Sequence, residues 1–235
     1  MLTDSIPLVL ASISPRRREL IGLINYPCQF ITADVDESMN AGERPDDLVN
    51  RLARAKAEIG ARKFAPRDAI VIAADTIVSI DGAILGKPVD SNDAVRMLKV
   101  LRNRPHIVYS GLTVRRGAQA ITQVATTTVH MRDYSDAEIA DYVATGDPLD
   151  KAAAYAIQHN GFRPVARIDG CHANVMGLPL CHLYRALKTF GVPIIEPDLA
   201  CQAHLKIECV VARSILTESS VVSIQYSDDN LATDD

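Results

Sequence analysis

Several short charged segments have the residue types needed to handle a phosphorylated substrate. Ser12-Ile13-Ser14-Pro15-Arg16-Arg17 joins an apolar run to a helix start. Backbone N–H groups at a helix N-terminus attract anions, and serine hydroxyls and arginine forks add donors. Arg16, Arg17 and Arg18 sit at the positive end of that helix's dipole. This is unfavourable unless an anion compensates them, so the segment reads as a phosphate site, with a solvated basic turn as the alternative. Asp36-Glu37 and Asp75-Thr76 each follow an apolar run. Carboxylates at strand ends suit Mg²⁺, a hard ion that shares its sphere with phosphate, although a lone Asp there is more often a turn residue. Lys56 extends the row Leu48, Leu52, Lys56 and is expected to snorkel to water. Lys87 before Pro88, and Asp150-Lys151 after Pro148, fall in turns and read singly as surface. Together these groups form an inventory for cleaving a phosphoanhydride, with carboxylates for metal and water and cations for the phosphates.

Other chemistries find no support. There is no Gly-x-Ser-x-Gly and no Gly-x-Gly-x-x-Gly. Gly82-x-x-x-Gly86-Lys87-Pro88 is too short for a P-loop, and Pro88 stands where a metal-binding hydroxyl is needed. Cys171-His172 and Cys181-His182 do not match zinc-ligand spacing and read as buried thiols and ordinary imidazoles.

The elements that must position the charged groups alternate in type. Pro7 to Ala11 and Cys28 to Ala33 read as strands, with a helix opening at Ser14-Pro15 between them. Pro45-Asp46-Asp47 starts a long helix whose apolar face is expected at Leu48, Leu52, Ala55 and Ile59. Ala69 to Ala74 and Ile77 to Ile80 are two apolar runs broken by Asp75-Thr76, and Asp81-Gly82 is a turn. Ser91 to Leu101 is a helix, and His106 to Val114 and Gln119 to Met131 are long strands. Ser135-x-x-Glu138 is a capping box, and Gly177 to Phe190 a last clear helix. Hairpin and crossover connections together imply an α/β fold with a mixed sheet. Leu205 to Leu216 could form one strand or helix, and acidic Ser227 to Asp235 reads as disordered.

Composition narrows the class. In 235 residues, 48% are apolar and 23% charged, which suits a folded chain with a sizeable core. The longest apolar runs are far short of a membrane span, and no basic-then-apolar leader opens the chain. A net charge of −4 argues against a general affinity for nucleic acid through bulk charge, because phosphate neutralisation needs a basic face. Five cysteines without paired spacing point to a reduced, cytoplasmic protein.

An ordered set of motifs carries a closer resemblance. It comprises Leu10-Ala11-Ser12-x-Ser14-Pro15-Arg16-Arg17, Asp36-Glu37, Ala74-Asp75-Thr76 and Asp81-Gly82-x-x-x-Gly86-Lys87-Pro88. It continues with His106-x-Val108, Thr145-Gly146-Asp147-Pro148-Leu149-Asp150-Lys151-Ala152, Ala154-Tyr155-x-Ile157-Gln158 and Asn174-Val175-x-Gly177-Leu178-Pro179. In this order they resemble the Maf family of nucleotide pyrophosphatases. The resemblance implies a two-lobed α/β fold over residues 1–197, with an elongated mixed sheet and flanking helices, similar to inosine triphosphate pyrophosphatases. Residues 198–235 would be a partly disordered extension. It implies a cleft that hydrolyses a nucleoside triphosphate between its α- and β-phosphates with a divalent metal, Mg²⁺ or Mn²⁺, and a homodimer.

By the same resemblance Asp75 is the proton acceptor and, with Glu37, the metal ligand. Ser12, Arg17, Lys56 and Lys87 line the phosphates, and Arg16, Thr76 and Gln158 bear on substrate choice. Asp150, Lys151 and Gln158 belong to the signature of the branch that prefers dTTP and UTP. A sister branch preferring 7-methyl-GTP lacks it, and a non-catalytic regulator of cell division is the other alternative. The family usually has Gly at positions held here by Ala153, Ala156 and His159, and Thr where this chain has Ser110. Alanine tolerates helical or extended backbone but not positive φ.

Overall fold

The computed structural model describes residues 6–64, 68–218 and 223–225. The chain begins with a parallel β-α-β unit: β1 (Leu8–Ala11), α1 (Pro15–Gly22) and β2 (Cys28–Ile31). The exposed loop 32–44 then leads into α2 (Pro45–Lys63), which crosses over to β3 (Ile70–Ile80), parallel to β1. After β4 (Ala83–Leu85) and α3 (Ser91–Leu101) come the long hairpin strands β5 (Pro105–Arg116) and β6 (Gln119–Met131). The chain continues through α4 (Asp136–Ala144), β7 (Val165–Asp169), α5 (His172–Val175) and α6 (Leu180–Thr189). It ends in α7 (Asp198–Leu205), α8 (Ala212–Thr217) and β8 (Ser223–Gln225). The eight-stranded sheet runs β2-β1-β3-β5-β6-β7, with β4 on β3 and β8 on β6. Among the described residues the parallel pairs are β1 with β2 and β1 with β3 and the rest are antiparallel, so the sheet is mixed, as the connection pattern implies.

Two cores lie along the long strands and make the two lobes. One gathers Leu8, Leu10, Leu20, Ile70, Ile72, Leu112, Leu183 and Leu187. The other gathers Val78, Ile80, Leu98, Val108, Val129, Tyr134 and Ile139. Strand β3 threads both. Its even-numbered residues Ile70, Ile72 and Ala74 face the first core, and Val78 and Ile80 face the second. The polar Thr76 lies between them on the same face. The expected break at Asp75-Thr76 does not occur, because β5 pairs with β3 from Ile70↔Arg116 to Ser79↔Ile107 and carries the ladder through it.

The stripe that α2 buries also differs from expectation. Leu48 and Leu52 are buried as predicted, but Ala55 and Ile59 are only half-buried. The inner face is Leu48, Val49, Leu52, Ala53, Lys56, Ala57 and Gly60. The reason is close approach: α2 lies on the sheet where the facing side chains are smallest. A Cβ on Gly60 would come within 2.7 Å of Val71 Cγ1 and 3.0 Å of Ala11 Cβ. A Cβ on Gly111 of β5 would come within 2.1 Å of the Val49 carbonyl oxygen. Ala11, Ala57, Val71 and Ala73 fill the narrow layer between.

At the C-terminal end, the predicted Gly177–Phe190 helix is shortened to α6, because Gly177 takes a φ of +101° and turns the chain. The single element expected over Leu205–Leu216 is instead the end of α7, a break with Lys206 in the left-handed region, and α8. Cys201, Leu205 and Val211 from this region pack on the first core. The expectation for Ser227–Asp235 lies outside the described residues.

Gly111→Ala tests the close approach. The added Cβ meets backbone, which cannot swing aside as a side chain can. The substitution is expected to lower stability by about 3 kcal/mol, read from chemical denaturation. It should also lower turnover per folded molecule by lifting α2 and Lys56 off the sheet. Unchanged stability and turnover would show that α2 has room to spare.

Candidate active site

The two lobes enclose a cleft of about 760 Å³. The residues that the resemblance assigns to catalysis, metal and substrate all line it: Ser12, Arg16, Arg17, Glu37, Lys56, Asp75, Thr76, Lys87, Asp150, Lys151 and Gln158. Among the described residues the remaining lining comes mostly from the 11–17 and 32–37 segments, the 150–158 turn and Val175 to Gly177.

At its floor is a compact charged group. Lys56 Nζ donates to Asp75 Oδ1 at 2.5 Å and to Glu37 Oε1 at 2.6 Å. Lys56 and Asp75 are only 8% and 6% exposed. Lys56 therefore does not snorkel to water as expected, because two carboxylates satisfy its ammonium inside the protein. Asp75 is not at a strand end either. It is mid-strand on β3, on the face toward α2, where Gly111 lies opposite it in the ladder. Glu37 comes from the 32–44 loop, and α2 holds that loop in place. Arg51 of α2 clamps Glu43 with two hydrogen bonds of 2.7 and 2.9 Å and donates to the Ser38 carbonyl. Burial acts to raise the Glu37 pKa, but the Lys56 hydrogen bond and the charges of Lys56, Lys87 and Arg17 outweigh it and hold the pKa below its usual value.

On the opposite face of β3, Thr76 meets the start of α1. Ser14 caps this helix as its sequence predicts, accepting from Arg17 N, and Pro15 occupies the first helical position. Arg17 reaches back over the sheet. Its Nε donates to the Gly177 carbonyl at 2.8 Å and its Nη2 to Thr76 Oγ1 at 3.0 Å, with Ser12 Oγ at 3.5 Å from Nη1. Burial disfavours the Arg17 charge, Asp75 and Glu37 support it, and the net pKa lies below the usual arginine value. Gly177 is required here: its φ is +101°, and a Cβ would lie 3.2 Å from Arg17 Nε and 3.3 Å from Thr76 Oγ1.

The far wall is the 145–158 turn. Lys151 is buried rather than a surface turn residue, and its ammonium donates to Asp147 Oδ1 at 2.8 Å and Asp150 Oδ1 at 2.7 Å. Gln158 and Lys87 are exposed at the cleft. Ala153 and Ala154 adopt φ of +58° and +60°, so the alanine that replaces a usual glycine at 153 sits in the left-handed region after all. The hydrogen bond from Ala153 N to the Gly86 carbonyl helps hold this backbone, at a cost on the order of 1 kcal/mol.

Several supporting residues were not assigned roles from the sequence. Ser110 bridges Thr76 to the Asn174 carbonyl, and the Gly177 carbonyl holds Arg17. His106 Nε2 and Tyr155 Oη pair at 2.7 Å behind the cleft wall. The available signal was polarity inside apolar strand patterns, as at His106 and Ser110 in β5. Among the described residues no cluster of three or more His, Cys, Asp or Glu is placed to hold a metal, and no helix is long and apolar enough to cross a membrane.

Comparison with known proteins covers the same stretch of chain as the motifs. A family model described as "Maf-like protein" matches residues 7–190. A dTTP/UTP pyrophosphatase of Dictyoglomus turgidum is 44% identical over 191 residues, spanning 80% of this chain and 98% of the relative. One from Geotalea uraniireducens is 47% identical over 186 residues, spanning 78% of this chain and 95% of the relative. One from Methylococcus capsulatus is 42% identical over 192 residues, spanning 82% and 95%.

The His106–Tyr155 pair gives a pH prediction. Burial, aided by His130, pulls the His106 pKa from 6.5 down to about 4. The unfolded chain therefore binds more protons than the native one between those values, and stability should fall as pH drops from 6.5 toward 4. His106→Gln keeps a partner for the tyrosine hydroxyl and removes the titration. The variant should lose less stability across that window, by on the order of 2–3 kcal/mol, in denaturation measured at each pH. Parallel curves for the two proteins would assign the acid sensitivity to another group.

Proposed function

The chain belongs to the Maf family, and from that membership we propose that its cleft hydrolyses dTTP and UTP to the monophosphate and pyrophosphate. The observation that carries the proposal is the Glu37–Lys56–Asp75 group on the cleft floor, faced across β3 by Arg17 and Ser12. A binding module would have no need to bury a carboxylate on the cleft floor beside these cations. An enzyme that activates water there does.

In this reading Asp75 accepts the proton of the attacking water. Lys56 occupies Oδ1 and fixes the carboxylate's orientation, leaving Oδ2 to take the proton. The water oxygen bonds to the α-phosphorus, the bond from that phosphorus to the bridging oxygen breaks, and pyrophosphate leaves with the electron pair. Arg17, Ser12, the α1 N-terminus and Lys87 supply positive charge and donors for the phosphates. Glu37 and Asp75 are hard oxygen donors whose charges already converge on one cation, the Lys56 ammonium. These two carboxylates are the residues that would hold a divalent ion, Mg²⁺ or Mn²⁺. Bound there, such an ion would neutralise phosphate charge. Gln158 is suited to the base, because its amide can donate to O4 of uracil or thymine. Arg16, Asp150 and Lys151 complete the substrate wall. The free cysteines suit a reducing compartment, and cytoplasm is the location we propose. A homodimer belongs to the same proposal on the family resemblance alone.

The test is a panel of nucleoside triphosphates, with 7-methyl-GTP included. UTP and dTTP should be the best substrates, and pyrophosphate rather than orthophosphate should be released. Orthophosphate with diphosphate would move the cleavage point, and 7-methyl-GTP as best substrate would overturn the base assignment. Asp75→Asn keeps the shape and removes the basicity, so the folded variant should turn over on the order of 10²–10⁴-fold more slowly. Near-normal turnover would hand the base role to another group.

A further inference from the structure

A buried chain of hydroxyls behind the cleft has a fixed proton direction. Ser110 is fully buried on β5, directly opposite Thr76 in the ladder. Its Oγ lies 2.8 Å from Thr76 Oγ1 and 3.2 Å from the Asn174 carbonyl. The Asn174 carbonyl, which also accepts from Gly177 N at 2.9 Å, can only accept, so with both Ser110 bonds made the single Ser110 hydroxyl proton goes to it. Ser110 must then accept from Thr76, and the single Thr76 proton is used in that bond. Thr76 in turn accepts from the Arg17 guanidinium at 3.0 Å. The order Arg17 to Thr76 to Ser110 to Asn174 is thus set at every link. Its terminus is anchored too, because Asn174 is fully buried and its Nδ2 donates to the Val108 carbonyl and to Thr127 Oγ1.

Thr76 lines the cleft with its proton already committed. All it can offer a bound molecule is a lone pair. Phosphate oxygens near neutral pH are acceptors, so Thr76 is a poor partner for them. The donors of a nucleoside triphosphate are on its base and sugar. Uracil and thymine carry a donor at N3, whereas cytosine has an acceptor there. Resting on the function proposed above, we propose that Ser110 is a specificity-positioning residue: by consuming the Thr76 proton it makes Thr76 an acceptor that selects the N3–H of uracil and thymine against cytosine. Ser110 touches no substrate and acts only through Thr76.

Removing Ser110's oxygen frees the Thr76 hydroxyl to rotate and donate to cytosine N3. In Ser110→Ala the ratio of kcat/KM for UTP to that for CTP should fall by about tenfold, near the worth of one neutral hydrogen bond. Ser110→Thr keeps the hydroxyl and should keep the ratio. A merely structural loss would lower both substrates alike and leave the ratio unmoved. If the unmodified protein prefers UTP and Ser110→Ala retains that preference in full, the relay is overturned and the proposed function stands. If the unmodified protein does not prefer UTP and dTTP at all, the functional reading itself fails. Should Ser110→Ala not fold, Thr76→Val keeps the shape and removes the acceptor. It must lower the same ratio, and an unchanged ratio there overturns the proposal equally.

Discussion

The close seating of α2 on the sheet is the constraint on which the site depends. At Gly60 and Gly111 there is no space for a methyl group, and the layer between is built of alanines and one valine. This lets a lysine on the inner face of a helix place its ammonium on a mid-strand carboxylate. With a larger residue at either glycine, the helix would stand off and the 2.5 Å contact between Lys56 and Asp75 would open. A buried ion pair of this kind contributes little to net stability, because desolvation offsets much of the attraction. Its value is geometric: it holds a charged carboxylate in one orientation and away from bulk water. The same helix also secures the third member, since Arg51 holds the loop that carries Glu37.

β3 is the axis about which the chemistry divides. Strand alternation sends Asp75 toward α2 and Thr76 toward α1, so adjacent residues serve opposite faces. The two hydrophobic cores press on the even face on either side of Thr76, which places a polar group at the seam between them. Polar residues at such a seam need partners, and here Arg17, Ser110 and Asn174 provide them in sequence. The seam of the fold and the wall of the cleft are therefore the same set of atoms.

Much of this was legible in the residues. Helix caps at Ser14 and Ser135, the α3 boundaries and the β5–β6 hairpin follow from local chemistry, which neighbouring residues largely decide. The charged residues at 12–17, 36–37, 56, 75 and 87 could be grouped because their types suit one task. Their pairing could not be read. Lys56 was expected in water because a lysine's default is hydration, and only the tertiary approach of α2 supplies two carboxylates instead. Asp75 was expected at a strand end because a carboxylate breaks an apolar run. The β5 ladder overrides that local preference. Ser110 and Gly177 gave weak signals, since a serine in a strand and a glycine before a helix have many ordinary uses. Ala153 inverts the expectation: an alanine here tolerates a backbone that glycine would enter freely.

The continuity of three long strands has a mechanical consequence. Lobes joined by one flexible link can swing as rigid bodies by changing a few backbone angles. Here β3, β5 and β6 are laddered to one another along most of their length. Rotation of one lobe against the other would have to bend or shear those ladders, which is costly. The floor of the cleft therefore behaves as a stiff beam. Adjustment to substrates of different size falls to the segments that are not laddered: the 32–44 loop with Glu37 and the 145–158 turn with Lys151 and Gln158. Tuning what the molecule admits is then a matter of loop length and loop chemistry, and can proceed without disturbing the beam.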